Sequence, residues 1–138
     1  MSYKLFLDDF RIPAMCTHYM LRRIGFQNTI YLDIDWVIVK NYDEFVDYIK
    51  VNGLPTLISF DHDLSDEHYS GEVDASTWDD YYLLEDREMT GYDCAKWLVD
   101  YCDKTNNQLP LYVVHSMNLV GTQNIIRYLE NYKKSLNG

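Results

Sequence analysis

Apolar residues fall in short continuous runs separated by longer stretches of helical period, an alternation that predicts strands and helices taken in turn. The runs are Tyr3 to Leu7, Trp36 to Val39, Leu57 to Phe60 and Leu111 to Val114. The first, Tyr3 to Leu7, is mostly apolar, as an interior parallel strand should be. Between them, Ala14 to Gly25 holds a short helix, and Asn41-Tyr42-Asp43-Glu44 opens a second whose stripe is Phe45, Val46 and Ile49, ending near Gly53. Ile30 to Asp35 reads as a weaker β-rich piece interrupted by Asp33 and Asp35. Thr90-Gly91-Tyr92-Asp93 opens a third helix with Ala95, Leu98, Val99 and Cys102 on one face, and Asp93 reads as part of its cap. Asn118 to Lys134 is the last helix, with Ile125, Leu129 and Tyr132 inward. Strand, helix, strand in so few residues is a right-handed parallel crossover, so the expected fold is an α/β three-layer sandwich on a mostly parallel sheet of four or five strands.

One stretch breaks the alternation. Residues 65–88 carry nine acidic side chains against Arg87 alone, and no period persists there. They read as a long acidic insertion in a single 1–138 domain, either a solvated loop or, given Trp78, Tyr81 and Tyr82, a cover over a site.

Charge narrows the partners. The 138 residues carry a formal charge of −10. That excludes an extended nucleic-acid surface and an anionic membrane, both of which need a basic face. A small phosphate ligand stays open, because one metal ion or two cations hold it locally. Cys16, Cys94 and Cys102 have neither zinc spacing nor a secreted framework and read as reduced, buried thiols. With no signal peptide and no run of membrane-spanning length, a cytoplasmic location is expected. The abundance of Tyr, Asn and Ile suits an AT-rich genome, bacterial or phage.

Three strands stop at chemistry. Leu7 runs into Asp8 and Asp9, Phe60 into Asp61, His62 and Asp63, and Val114 into His115 and Ser116. In a flavodoxin-like order the first, third and fourth strands are neighbours, so these ends share one edge of the sheet. Carboxylates that converge raise each other's pKa unless a cation is present, and oxygen ligands favour Mg²⁺ or Mn²⁺. Asp8, Asp9 and Asp61 are therefore the candidate metal ligands, with turn or helix capping as the structural alternative. His62 and His115, expected where the strands emerge and the second at the pocket rim, are candidates for moving a proton. Each alternatively satisfies a backbone carbonyl. Ser116 is either the N-cap of the last helix or a phosphate contact beside Asn118 and the helix-start amides. Arg11 either neutralises the aspartates or meets a phosphate.

The chain resembles the response-regulator receiver domain in its acid pair after strand one and lone Asp after strand three. It is closer still to the cyclic-phosphate-processing receiver-like domains. That resemblance rests on Leu5-Phe6-Leu7-Asp8-Asp9-Phe10-Arg11-Ile12-Pro13, on Ile58-Ser59-Phe60-Asp61-His62-Asp63-Leu64, on Gly91-Tyr92-Asp93 with Trp97-Leu98, and on Val114-His115-Ser116-Met117-Asn118 with Gly121 and Asn124. It implies a receiver-like sheet, Asp8, Asp9 and Asp61 on a divalent metal, and Asp61 at the phosphoacceptor position. His62, Asp63, His115 and Ser116 are additions to the receiver pattern, and the usual last strand-helix unit, with its lysine, is missing.

The leading expectation is metal-assisted hydrolysis of a cyclic phosphate on a nucleotide or RNA end. His62, His115, Asp63 and Ser116 would serve the chemistry, and Arg11, Ser116 and Asn118 the phosphate. The alternatives are a module that sequesters a phosphorylated nucleotide signal without cleaving it, and a degenerate receiver working through protein contacts.

Overall fold

The computed structural model describes residues 2–25, 28–65, 78–83 and 87–137. Four parallel strands form one sheet: β1 (Lys4–Leu7), β2 (Trp36–Val39), β3 (Leu57–Phe60) and β4 (Leu111–Val114), in the order β2-β1-β3-β4. The three neighbouring strands of the expected order are neighbours here. Leu7 pairs with Phe60, and Phe60 with Val114, so the three strands end level.

Helices cover both faces. Helix α1 (Pro13–Ile24) starts on a proline at its first position, where the missing N–H costs nothing. That is why Pro13 leaves the sheet by opening a helix, one residue ahead of the expected start. Helix α2 (Tyr42–Asn52) is capped by Asn41, whose side chain accepts from the Glu44 amide. Helix α4 (Gly91–Thr105) carries a capping box: Thr90 Oγ1 accepts from the Asp93 amide, and Asp93 accepts from the Thr90 amide at 2.7 Å. Helix α5 (Leu119–Asn137) follows β4.

Strand side chains alternate between two cores. Leu5, Leu7, Ile58, Phe60 and Val114 pack with α2, α4 and α5, along with Phe45, Ile49, Leu98, Ile125 and Leu129. Phe6 faces the other way onto Cys16, Met20 and Tyr31, with Val113 packed against them. All three cysteines are free and buried.

Two local expectations are corrected. Residues Ile30–Leu32 form a 3₁₀ turn instead of a strand, its Tyr31 turned inward to the smaller core. Within the acidic stretch 65–88, Trp78–Tyr82 is a short helix, α3, with Trp78 and Tyr81 buried. Most of the rest of that stretch, and with it the expected insertion, lies outside the described residues. No helix among the described residues is long and apolar enough to cross a membrane.

Candidate functional site

The ladder runs one residue past each strand. The Asp8 amide donates to Val39 O at 3.0 Å, the Asp61 amide to Leu7 O at 3.0 Å and the His115 amide to Phe60 O at 2.9 Å. By the two-residue alternation, Asp8, Asp61 and His115 then continue the rows of Phe6, Ser59 and Val113 and face the α1 side. Ligand atoms of Asp8, Asp61 and His115 all lie within 4.8 Å of one another. Asp9 is not in that group. It stands next along the β1–α1 connection and is half-buried.

Asp8 is held on all sides. One oxygen accepts from the Phe10 and Arg11 amides at 3.0 and 2.9 Å. The other meets His115 Nε2 at 2.9 Å and Arg11 Nη1 at 3.4 Å. Burial alone would push its carboxyl up, but the His115 bond and the two amides prevail and hold it below the usual carboxylate range. Asp61 goes the opposite way. Burial first, and then the neighbouring Asp8 charge, raise it to about 8, against a smaller pull from Arg11. The Arg11 guanidinium spans the two, 3.8 Å from Asp61. Arg11 thus faces both aspartates, as the neutralising role foreseen for it requires.

His115 is fully buried, not at a rim. Its ring stacks on Phe6 with centroids 4.4 Å apart and planes 6° apart. Its Nδ1 meets Ser59 Oγ at 2.7 Å, and Ser59 meets the Tyr31 hydroxyl at 2.6 Å. Burial lowers its pKa, with the Asp8 interaction opposing.

His62 follows Asp61 and so turns to the opposite face, toward α5. It too is fully buried. Its Nδ1 meets Asp63 Oδ1 at 2.7 Å and its Nε2 the Tyr82 hydroxyl of α3 at 2.7 Å. Trp78 meets the imidazole edge-on at 4.5 Å. Asn124 also donates to the Tyr82 hydroxyl, tying α3 to α5. A Cβ on Gly121 would overlap the His62 ring, and one on Gly91 would overlap the Asp61 carbonyl, so both glycines permit close approach.

The strand ends are therefore buried, where solvated ends were expected. Helix α1 and the 3₁₀ turn close over one side, α3 and α5 over the other. Asn118, not Ser116, caps α5: its Oδ1 accepts from the Gly121 amide at 2.9 Å, while its Nδ2 donates to Asp63 at 3.1 Å. Ser116 braces the preceding turn by accepting from the Asn118 amide at 3.1 Å. Its hydroxyl also favours the ionised form of the Asp61 carboxyl, the least of the influences on that group.

Sequence reasoning gave no role to Tyr31, Ser59 or Arg23, and had Tyr82 only as part of a cover. Arg23 donates to the carbonyls of Val114 and Ser116, fixing the loop after β4. Two of these left a trace: Ser59 is a lone polar residue in an apolar strand, and Trp78, Tyr81 and Tyr82 sit at helical spacing.

No curated protein and no solved structure matches the chain. A family model does, across residues 3–131, from the start of the sheet to well within α5. The chain belongs to the cyclic-phosphate processing receiver domain family.

Proposed function

We propose that this pocket binds and processes a cyclic phosphate ester, carried on a nucleotide or an RNA end, with Mg²⁺ or Mn²⁺ held by Asp8 and Asp61. The observation that carries the reading is the meeting of these two buried carboxylates at level strand ends, with Asp61 raised to about 8. Two buried carboxylates with one of them reluctant to ionise are short of positive charge, and oxygen donors suit a hard divalent cation. The residues present therefore fit such an ion. Bound there, it would polarise phosphoryl oxygens and favour ionisation of a water.

The chain's own groups do the rest. Asp9 offers a further carboxylate beside the pair. Arg11 is released from the aspartates once their charge is met, and its planar fork suits a phosphate. Ser116 and Asn118 border Asp61 and Asp63, beside the helix-start amides of α5. His62 is the imidazole that already meets a hydroxyl, with Asp63 on its other nitrogen, an arrangement suited to moving a proton once Tyr82 yields its place. The test is phosphorus NMR of 2′,3′-cyclic nucleotides incubated with protein and Mn²⁺ or Mg²⁺. The reading expects ring opening that is lost in Asp61→Asn; no turnover with the cation demonstrably bound refutes it.

A second reading is favoured by one observation. All four ring nitrogens of His62 and His115 are engaged and both rings are buried, which suits a module that sequesters a phosphorylated nucleotide without cleaving it. It expects the nucleotide to be recovered unchanged after heat denaturation.

A further inference from the structure

We infer that Tyr31 and Ser59 are positioning residues for His115: they feed a directed chain of hydrogen bonds that fixes its imidazole as an Nε2–H donor to Asp8, so that His115 orients Asp8 and takes no place on a cation. The direction of the chain follows from what each group can do. Asp8, ionised, only accepts, so Nε2 must donate across the 2.9 Å contact. A neutral imidazole then accepts at Nδ1, which makes Ser59 the donor across 2.7 Å. With its hydrogen used, Ser59 accepts from the Tyr31 hydroxyl at 2.6 Å. Every hydrogen has an acceptor.

Reversal leaves one without. Were Nε2 to ligate a cation, the ring would carry its hydrogen on Nδ1, and Ser59 would either accept from Tyr31 as well and leave its own hydrogen unplaced, or turn that hydrogen toward Tyr31. In the second case the hydroxyl hydrogen of Tyr31 is displaced, with no other acceptor for it among the described residues. A doubly protonated ring meets the same obstacle. Turning the ring over gives no way out: a half-turn keeps it flat on Phe6 but sets Cδ2 against Ser59 and Cε1 against Asp8, so both hydrogen bonds are lost. The polar residues are fully buried or nearly so, where an unpaired hydrogen is costly. Carboxylates on metals are commonly oriented by such outer partners.

The inference rests on the proposed cation-holding pair only in its consequence, and its first test needs no cation. In ¹⁵N-labelled full-length protein, long-range proton–nitrogen NMR should find His115 protonated at Nε2 and bare at Nδ1, and unchanged with saturating Mg²⁺. A hydrogen on Nδ1 in either state overturns it. In Ser59→Ala, the His115 Nδ1 signal should move to that of an unbonded imine nitrogen, and Mg²⁺ affinity should fall by about tenfold. An unmoved Nδ1 signal overturns it. Tyr31→Phe, which keeps the ring in place, should shift the same signal by less, and no shift there removes Tyr31 from the chain. Failure of the wild type to bind Mg²⁺ would count against the cation-holding pair, while the metal-free tautomer still decides this inference.

Discussion

Replacing Asp61 by asparagine should change how stability depends on pH, in a direction set by the buried carboxyl pair. In the folded chain Asp61 titrates near 8, against an ordinary value of 3.8, because it is buried beside the Asp8 charge. Between those two values the folded state holds a proton that the unfolded chain has lost, so the contribution of Asp61 to stability is greatest below about pH 4 and falls as pH rises toward 8. At about 1.4 kcal/mol per pH unit, the loss reaches about 4 kcal/mol at pH 7. The substituted carboxamide does not titrate and keeps an oxygen for the His62 amide, which Asp61 accepts at 2.9 Å. His115, lowered by burial, contributes the opposite slope below its ordinary 6.5, and Asp8, also lowered, acts below 3.8. Both effects are largely shared by the variant, so the difference between the two proteins isolates Asp61. Urea unfolding in EDTA at pH 5, 6, 7 and 8 should show the Asp61→Asn variant gaining steadily on the wild type. At pH 7 that corresponds to roughly 10 to 15 °C in Tm. Parallel curves would mean that Asp61 ionises in the fold as freely as outside it, and that burial beside Asp8 holds no proton there.

Arg11→Gln should bind Mn²⁺ more tightly, by several-fold, because the guanidinium that competes across Asp8 and Asp61 is gone, yet should bind phosphate more weakly; calorimetry of each ligand separates the two. Gly121→Ala should cost about 2 kcal/mol or more, because its methyl overlaps the His62 ring, and should perturb the His62 NMR signals before those of His115. Thr90→Ala, which removes the hydroxyl that caps α4, should cost about 1 kcal/mol in chemical denaturation.

The strands and the level ends of β1, β3 and β4 were legible because continuous apolar runs stop at carboxylates and imidazoles, and a parallel order puts such ends side by side. The capping box at Thr90 and Asp93 was legible for a local reason: both partners lie within one turn. What was not legible depends on distant packing. His115 looks like a rim residue in Val-His-Ser, and only Phe6 from β1 with Tyr31 from a 3₁₀ turn makes it interior. The inward side chain that places Tyr31 comes from a segment whose aspartates obscure any period. Ser116 has the chemistry of an N-cap, yet Asn118 takes that place because its amide also reaches Asp63. Helix α3 was hidden by charge: Asp79 and Asp80 lie between Trp78 and Tyr81, and the helix exists by packing its aromatics onto His62.

Isothermal titration of Mg²⁺ or Mn²⁺ into the protein at pH 7, repeated in buffers of different ionisation enthalpy, bears most directly on the cation-holding pair. With Asp61 near 8, one cation should bind per chain and release about 0.9 proton, and none should bind to Asp61→Asn. Binding that survives Asp61→Asn, or that releases no proton, would remove Asp61 from the cation site.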